Sequence, residues 1–591
     1  MSLKPFLRIV TVLLALSVSS CSGRVGQPRE AEPTSWAENG MVVSAHVEAS
    51  RAGVEVLRKG GNAVDAAVAT GFALAVVFPV AGNVGGGGFM VIRHSDGTAT
   101  TIDFREKAPA AASRDMYLNE SGEVQPELSQ RGHLASGVPG TVAGLYLAHQ
   151  RYGKLPWKEV LEPAIRLAED GFTLSHNQAN RFNSYRNRFL AYPGTARYFT
   201  RESGRFRAGE RFVQRDLARV LRRIRAHGRD GFYRGETADL IVAEMERGGG
   251  LINHADLESY EAVEREPVEG TYRGYRVISM GPPSSGGVSL IQLLNALEPY
   301  DLRDLGYQSS ATVHLMGEAM RRVFADRSEW MGDPDFVDVP VEALIDKAYM
   351  ADRMADFDPD RATPSEDVRH GEPLVGESSE TTHYSIVDAE GNAVSVTTTL
   401  NGSYGSLVVV DGAGFFLNNE MDDFSAAPGA PNMFGLTGSE ANEIQPGKRM
   451  LSSMTPTIVE DPSGRLFMVI GSPGGARIPT TVLQVIVNVI DYGMDIERAV
   501  AAPRIHHQWL PDELLYERYG LPEDVVANLE ARGWGVSVGG YWGRADGILV
   551  SFEGTDVEDE PSSVERLEQR RAGRILFAGT DPRGEDAAVG Y

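Results

Sequence analysis

The chain has 591 residues and a formal charge of −24, which argues against a surface built to bind nucleic acid or another polyanion. Its apolar content of 42% is ordinary for a globular protein with ample chain to bury a core. A single cysteine excludes an intrachain disulfide and any cysteine-based metal site. Length alone suggests about four domains, yet no Pro/Ser-rich spacer, long charge block or internal repeat divides the body of the chain.

The first residues read as a targeting leader. Lys4 and Arg8 give a positive start, residues 9–16 form a short apolar run, and Val18-Ser19-Ser20-Cys21 follows. The run is too short to stay in a bilayer as a span, so residues 1–20 are expected to be a signal peptide. A solitary cysteine behind small residues resembles the lipobox of bacterial lipoproteins, which makes Cys21 the expected lipidation site. By the same resemblance, Ser22 rather than Asp after the cysteine favours the outer membrane. Residues 21–36 are polar, with Pro and Glu, and read as a flexible tether. The expected location is the periplasm or the outer membrane, with lipid as the only membrane contact.

Residues 41–45 read as a strand and 47–59 as a helix closed by Gly60-Gly61, with Asn62 placed to cap a second helix over 63–77. That second helix is nearly all small or apolar, but Asp65, Pro79 and its many alanines make it a buried core helix rather than a membrane span. Gly85-Gly86-Gly87-Gly88 lacks the G-x-x-x-x-G-K-[ST] ending of a phosphate loop, so nucleotide binding is rejected. A strand over 89–93 follows, and amphipathic helices are expected over 157–169 and 313–325. Residues 352–380 are polar and dotted with proline.

Next comes Thr381-Thr382-His383-Tyr384-Ser385-Ile386-Val387-Asp388, alternating polar and apolar residues as a half-buried strand does. Ala389-Glu390-Gly391-Asn392 is a turn, and residues 393–400 form a second strand, so the pair reads as a hairpin. Folding it about Glu390 sets Thr399 opposite Thr381, within a residue of register. A second hairpin, with strands over 457–459 and 466–470, turns at Asp461-Pro462-Ser463-Gly464 and by the same counting brings Ser452-Ser453 near Gly474-Gly475. Pro479 suits the first turn of a helix running to residue 492, with Gly493 as its stop. Backbone N–H groups just ahead of such a helix suit an anion.

Glu380-Thr381-Thr382-His383-Tyr384, Asn418-Asn419-Glu420-Met421-Asp422-Asp423-Phe424, Leu451-Ser452-Ser453-Met454 and Gly471-Ser472-Pro473-Gly474-Gly475 resemble the motifs of the γ-glutamyltranspeptidase (glutathione hydrolase) family. Asp103-Phe104-Arg105-Glu106 with Ala108-Pro109, and the chain end from Gly579-Thr580-Asp581 onward, extend the resemblance over nearly everything after the leader. It implies an α+β fold, a four-layer α/β/β/α sandwich of the N-terminal-nucleophile hydrolase type. It also implies self-cleavage between Glu380 and Thr381 into a large subunit, 37–380, and a small catalytic subunit, 381–591, which stay together as a heterodimer.

The resemblance further implies a site. Cleavage would make Thr381 an N-terminal nucleophile whose own α-amino group, titrating near ~7.7–8.0, serves as its base; His383, His506 and His507 are then structural. Thr399 would orient the Thr381 hydroxyl, and the N–H groups of Gly474 and Gly475 would form an oxyanion hole. Arg105, Ser452 and Ser453 match the residues that hold the substrate's α-carboxylate, which a guanidinium fork meets bidentately. Asn401, Glu420 and Asp423 match those that hold its α-ammonium. Ser136-Gly137-Val138-Pro139-Gly140, Gly281-Pro282-Pro283-Ser284-Ser285-Gly286-Gly287 and Ala325-Asp326-Arg327 are read as turns and structural contacts. Pro431-Asn432-Met433-Phe434-Gly435 resembles the family's lid, with Phe434 where several bacterial members carry Tyr, so a latch through that hydroxyl is missing. No cofactor is expected, and no metal, since no His accompanies the acidic cluster at ligand spacing.

The expected reaction is hydrolysis of glutathione and related γ-glutamyl compounds, or transfer of the γ-glutamyl group to amino acids or peptides. Two other readings compete. One is an acylase of the same superfamily that removes glutaryl or cephalosporin side chains; Glu420 and Asp423 argue against it, because a glutaryl group has no ammonium. The other is an unprocessed lipoprotein that only binds amino acids or peptides, against which stands the intact set of Thr381, Thr399, Gly474 and Gly475.

Overall fold

The hairpin that begins at Thr381 is the centre of a seven-stranded antiparallel sheet. In this computed structural model, residues 32–202, 204–369, 381–427, 432–433, 436, 440–552 and 573–591 are described. The strand order of this nucleophile sheet is Ala587–Gly590, Met41–Ser44, Thr382–Val387, Ala393–Thr399, Gly87–Arg93, Ala99–Asp103 and Val263–Arg265. A companion seven-stranded sheet runs Trp36–Ala37, Arg574–Gly579, Asp546–Phe552, Leu466–Gly471, Thr457–Glu460, Tyr275–Ser279 and Val268–Tyr272.

Side-chain alternation sorts the residues into layers. On the nucleophile sheet Val42, Met90, Ile92, Ile386, Val394 and Val396 pack outward on the helices Val47–Arg58, Ala63–Val77 and Thr141–Tyr152. Their neighbours Met41, Val43, Phe89, Val91 and Ala393 point the other way and join Ile458, Val469 and Ile548 of the companion sheet. The far side of that sheet is covered by the helices Gly286–Leu297, Ser310–Trp330 and Ile478–Ile490. This is the four-layer α/β/β/α sandwich that the resemblance implied. Because the nucleophile sheet is covered on both faces, Gly87–Arg93 is buried along its whole length.

Each sheet draws strands from both sides of residue 380: Met41–Ser44 pairs with both Thr382–Val387 and Ala587–Gly590, and Tyr275–Ser279 pairs with Thr457–Glu460. The two stretches therefore share one core, and cutting the chain between them leaves every ladder in place. The helix Ala63–Val77 has the expected bounds, all fifteen residues are buried, and Asn62 and Asp65 cap it reciprocally. Among the described residues no helix is long and apolar enough to cross a membrane.

Some expectations shift. The helix over 157–169 is two, Trp157–Val160 and Glu162–Asp170, with Pro163 in the first turn of the second. Ala325-Asp326-Arg327 is no turn but part of the helix Ser310–Trp330. The end of the expected tether is already attached, since Pro33 bridges to Val589 and Trp36 pairs with Phe577. Cys21, Glu380 and Phe434 lie outside the described residues.

Polar groups also bridge the sheets. Ser385 donates to the carbonyl of Asp546 at 2.9 Å and Ser395 to that of Ile470 at 3.1 Å. Asp546 and Asp586 are buried carboxyls with oxygens that no hydrogen bond reaches. Burial first, and then the neighbouring carboxylates, push both upward, Asp586 from the ordinary 3.8 to about 6 despite Arg544. A carboxyl raised by folding favours the folded state below its unfolded value, and the advantage is lost as pH climbs through the folded one. Asp586→Asn is thus expected to shrink the fall in Tm between about pH 4 and 7. Thermal melts across that range check it; an unchanged profile would contradict the assignment.

Candidate active site

Thr382 pairs with Thr398, and this register places Thr381, just ahead of the strand, opposite Thr399, as the hairpin count predicts. Thr381 is 4% exposed and its hydroxyl has no hydrogen-bond partner. Thr399 lies across the hairpin but its hydroxyl is engaged elsewhere: it accepts from the Asn401 N–H at 2.7 Å. In the uncut chain, then, Thr399 does not orient the Thr381 hydroxyl.

The tetraglycine serves close approach, not phosphate. A Cβ on Gly86 would sit 2.0 Å from the Thr399 carbonyl, and one on Gly87 2.5 Å from Glu106. Asn83 locks this crossing, donating to the Thr399 carbonyl at 2.7 Å and accepting from the Gly86 N–H at 2.9 Å.

Arg105, only 1% exposed, is the hub of the charged groups. Its Nη1 is 2.6 Å from Glu420 Oε2, its Nη2 is 2.5 Å from Asp423 Oδ2, and it donates to the carbonyls of Met450 and Leu451 at 3.0 and 2.8 Å. The groups expected on opposite ends of an amino-acid head group are thus paired with one another. Burial raises the Glu420 carboxyl, partly offset by Arg105. Glu106, 3.6 Å from Arg105, is pushed well up by burial and then by Glu420. The side-chain oxygen of Asn401 is buried without a hydrogen-bond partner, an acceptor left over at the edge of this set.

Ser452 and Ser453 are held from below. The loop before helix Gly286–Leu297 grips the Ser452 backbone, with Ser285 N–H donating to its carbonyl at 2.7 Å and Ser452 N–H donating to the Pro283 carbonyl at 2.9 Å. Arg327 donates to the Ser453 hydroxyl at 3.0 Å and to Ser285 at 3.1 Å. Gly474 and Gly475 both have positive φ, 140° and 65°, which favours glycine. They follow the strand Leu466–Gly471 at the same end of the hairpin from which Ser453 leads into Thr457–Glu460. Among the described residues no acceptor is hydrogen-bonded to either glycine N–H.

A cavity of about 680 Å³ opens beside the nucleophile, lined by Thr381, Asn401 and Gly474 among others. Arg105, Glu420, Asp423, Ser452 and Ser453 do not line it and are buried in this uncut chain. The histidines are framework. His383 is buried between Thr397 and Ser385, its pKa lowered by burial to about 3, and His506 and His507 are lowered by burial as well.

Sequence reasoning left several supporting residues without a role. Asn418 accepts from the N–H groups of Gly137 and Glu420 and donates to the carbonyls of Gly85 and Gly137, lashing the acidic turn to the tetraglycine. Asn419 accepts from Gly402 N–H and from the Asn401 amide. Arg327 had a readable signal: it falls on the buried stripe Met316, Met320, Val323, where an apolar residue is expected.

Comparison with known proteins shows the family. The family model for gamma-glutamyltranspeptidase matches residues 49–591. A glutathione hydrolase proenzyme of Escherichia coli is 46% identical over 603 residues, covering 100% of both chains. A crystal structure of the Helicobacter pylori gamma-glutamyltranspeptidase superposes with a TM-score of 0.55 at 50% identity, covering 56% of this chain and 94% of that one. The cephalosporin acylase of Bacillus halodurans superposes over 98% of this chain and 99% of its own with a TM-score of 0.81, at 27% identity. On the family match, the full-length relative and the shared architecture together, the chain belongs to the γ-glutamyltranspeptidase family.

Proposed function

We propose that the protein is a self-processing γ-glutamyltransferase and glutathione hydrolase with Thr381 as its nucleophile. The observation that carries the reading is the Thr381 hydroxyl, buried, unpartnered and at the head of a strand beside a cavity. In the precursor this hydroxyl attacks the Glu380 carbonyl, the acyl group moves from nitrogen to oxygen, and water hydrolyses the ester. The large subunit then ends at Glu380 and the small one begins with a free Thr381 amine.

That amine takes the hydroxyl proton as Thr381 attacks the γ-carbonyl of the donor. Negative charge gathers on the carbonyl oxygen, and the free N–H groups of Gly474 and Gly475 are its donors. Collapse breaks the amide C–N bond, the leaving amine takes the proton, and a γ-glutamyl ester remains. Water or an amine then releases it. The donor's α-carboxylate goes to Arg105, Ser452 and Ser453, and its α-ammonium to Asn401, Glu420 and Asp423. A zwitterionic head group can enter by exchange, because it offers Arg105 a carboxylate and the acids a cation in place of one another. The glutaryl-acylase reading is weaker here, since a glutaryl group would replace only half of that pairing.

Incubation with glutathione tests the reading: free glutamate should appear, and a γ-glutamyl dipeptide when an acceptor is added. A two-band protein that releases neither would refute it.

Location belongs to the same proposal. Cys21 is the lipid attachment point and residues beyond it tether the enzyme to a membrane facing the periplasm. Cys21→Ala is expected to move the protein from the membrane to the soluble periplasmic fraction; a variant that stays with the membrane would rule this out.

A further inference from the structure

A side-chain amide can donate and accept from one end, and Asn442 uses both capacities on main-chain groups. Its Nδ2 donates to the Asp423 carbonyl at 2.7 Å, and its Oδ1 accepts from the Leu451 N–H at 3.2 Å. Its own carbonyl accepts from the Ser425 N–H at 2.9 Å. Asn442 is buried and closes the short 3₁₀ turn Glu440–Asn442. The two segments it joins carry head-group residues. One holds Asp423. The other holds Leu451, whose carbonyl accepts from Arg105 at 2.8 Å and which leads into Ser452-Ser453.

Lys448 braces this turn. It is fully buried, yet among the described residues its ammonium forms no ion pair. It donates instead to the carbonyls of Ala441 and Glu443 at 2.6 and 3.2 Å, the residues on either side of Asn442. Burial lowers it from the ordinary 10.5 to about 8, against the pull of Glu443 and Asp333. A buried cation held by carbonyls alone is costly, so the closure it makes has to matter. The main chain here is also tied to the stretch just past Arg105: Ala108 N–H donates to the Lys448 carbonyl at 2.8 Å, and Gly447 N–H to the Ala108 carbonyl at 3.0 Å. Ile444 packs in the same small core as Ala108, Met421, Phe424 and Met450.

This tie matters because of what a donor does to the site. In the uncut chain Arg105 and Asp423 set their own spacing by direct contact. A zwitterionic head group takes that contact apart, and two separated side chains no longer fix a distance between them. The link through Asn442 survives, since it joins main chain to main chain and uses neither of those side chains.

We infer that Asn442, braced by Lys448, is a positioning residue that holds the ammonium-binding and carboxylate-binding groups at the separation of an α-amino acid, and so sets the preference for a head group carrying both charges. The inference rests on the proposed γ-glutamyl transfer at Thr381 and deepens its account of specificity. A ligand without the ammonium engages only one end of the tie and should feel its loss less.

The test compares inhibition by L-glutamate and by glutarate, which differ only in the ammonium, with a γ-glutamyl-4-nitroanilide as the donor. The readout is the ratio of the glutarate Ki to the glutamate Ki in the processed two-chain enzyme, with completeness of processing as the folding control. The ratio should be well above one in wild type and fall about three- to tenfold in Asn442→Ala, the scale of one or two neutral hydrogen bonds. Lys448→Met should lower it in the same direction, while Lys448→Arg, which keeps a cationic donor, should keep most of it. Asn442→Ser is the reserve where Asn442→Ala stays uncut, and its ratio should also fall below that of wild type. Variants that keep the wild-type ratio, or that weaken both inhibitors equally, would overturn the inference while leaving γ-glutamyl transfer intact. A wild-type ratio near one would overturn it too, together with the ammonium assignment. A wild type that leaves the donor uncleaved would overturn γ-glutamyl transfer itself.

Discussion

Thr381→Ala is expected to remain a single full-length chain and to lose about 10⁴-fold or more of its turnover, the scale on which enzymes lose activity with their nucleophile. Both effects have one cause. The hydroxyl that attacks the Glu380 carbonyl is the one that later attacks the donor, and the amine that would serve as base is never freed. The fold should hardly notice. The Thr381 hydroxyl makes no hydrogen bond, so no buried partner is left unsatisfied when it goes. The variant should therefore melt close to the uncut wild-type chain, which separates loss of chemistry from loss of structure. Thr381→Ser keeps an oxygen and should still be cut. Gel electrophoresis, a glutathione assay and a thermal melt on the two variants check all of this.

The second large effect concerns the head-group set. Asp423→Asn should lower kcat/KM for a γ-glutamyl anilide about ten- to a hundredfold, since a charged hydrogen bond is worth roughly 1.5–3 kcal/mol. The glutaryl anilide, which lacks the ammonium, should suffer far less. Arg105→Gln should do more. It removes the donor's carboxylate partner and also strips the guanidinium that lies within 2.6 Å of both Glu420 and Asp423. Breaking a buried pair by removing one member costs about 3–5 kcal/mol, so this variant should fold poorly as well as bind poorly. Adding Asp423→Asn to it should recover stability without recovering activity. Equal slowing of both donors by Asp423→Asn, in fully processed enzyme, would mean that Asp423 supports the fold and not the ammonium.

Much of the scaffold was legible in the sequence because it rests on local pattern. The alternation after Thr381 and the Glu390-Gly391 turn give the hairpin register, and Asn62 with Asp65 marks the start of the helix Ala63–Val77. Contacts between distant segments were not legible that way. The pairing of Ala587–Gly590 with Met41–Ser44 joins strands more than 500 residues apart, and no periodicity announces it. The site divides along the same line. Motifs named Arg105, Glu420 and Asp423, but side-chain chemistry alone suggested two separated sets of opposite charge. Only packing revealed that, without a zwitterion between them, burial forces those charges together. Arg327 was read with its neighbours as a turn and structural contact; it is a contact, but from inside the helix Ser310–Trp330, where it is buried against Ser453.

The central claim is that this chain makes its own catalytic amine by cutting before Thr381. The most direct test is the amino-terminal sequence and intact mass of the smaller fragment from purified wild-type protein. The account predicts one fragment that begins Thr381-Thr382-His383-Tyr384 and ends at Tyr591. A fragment that starts at any other residue, or a chain that stays whole while active, would contradict it.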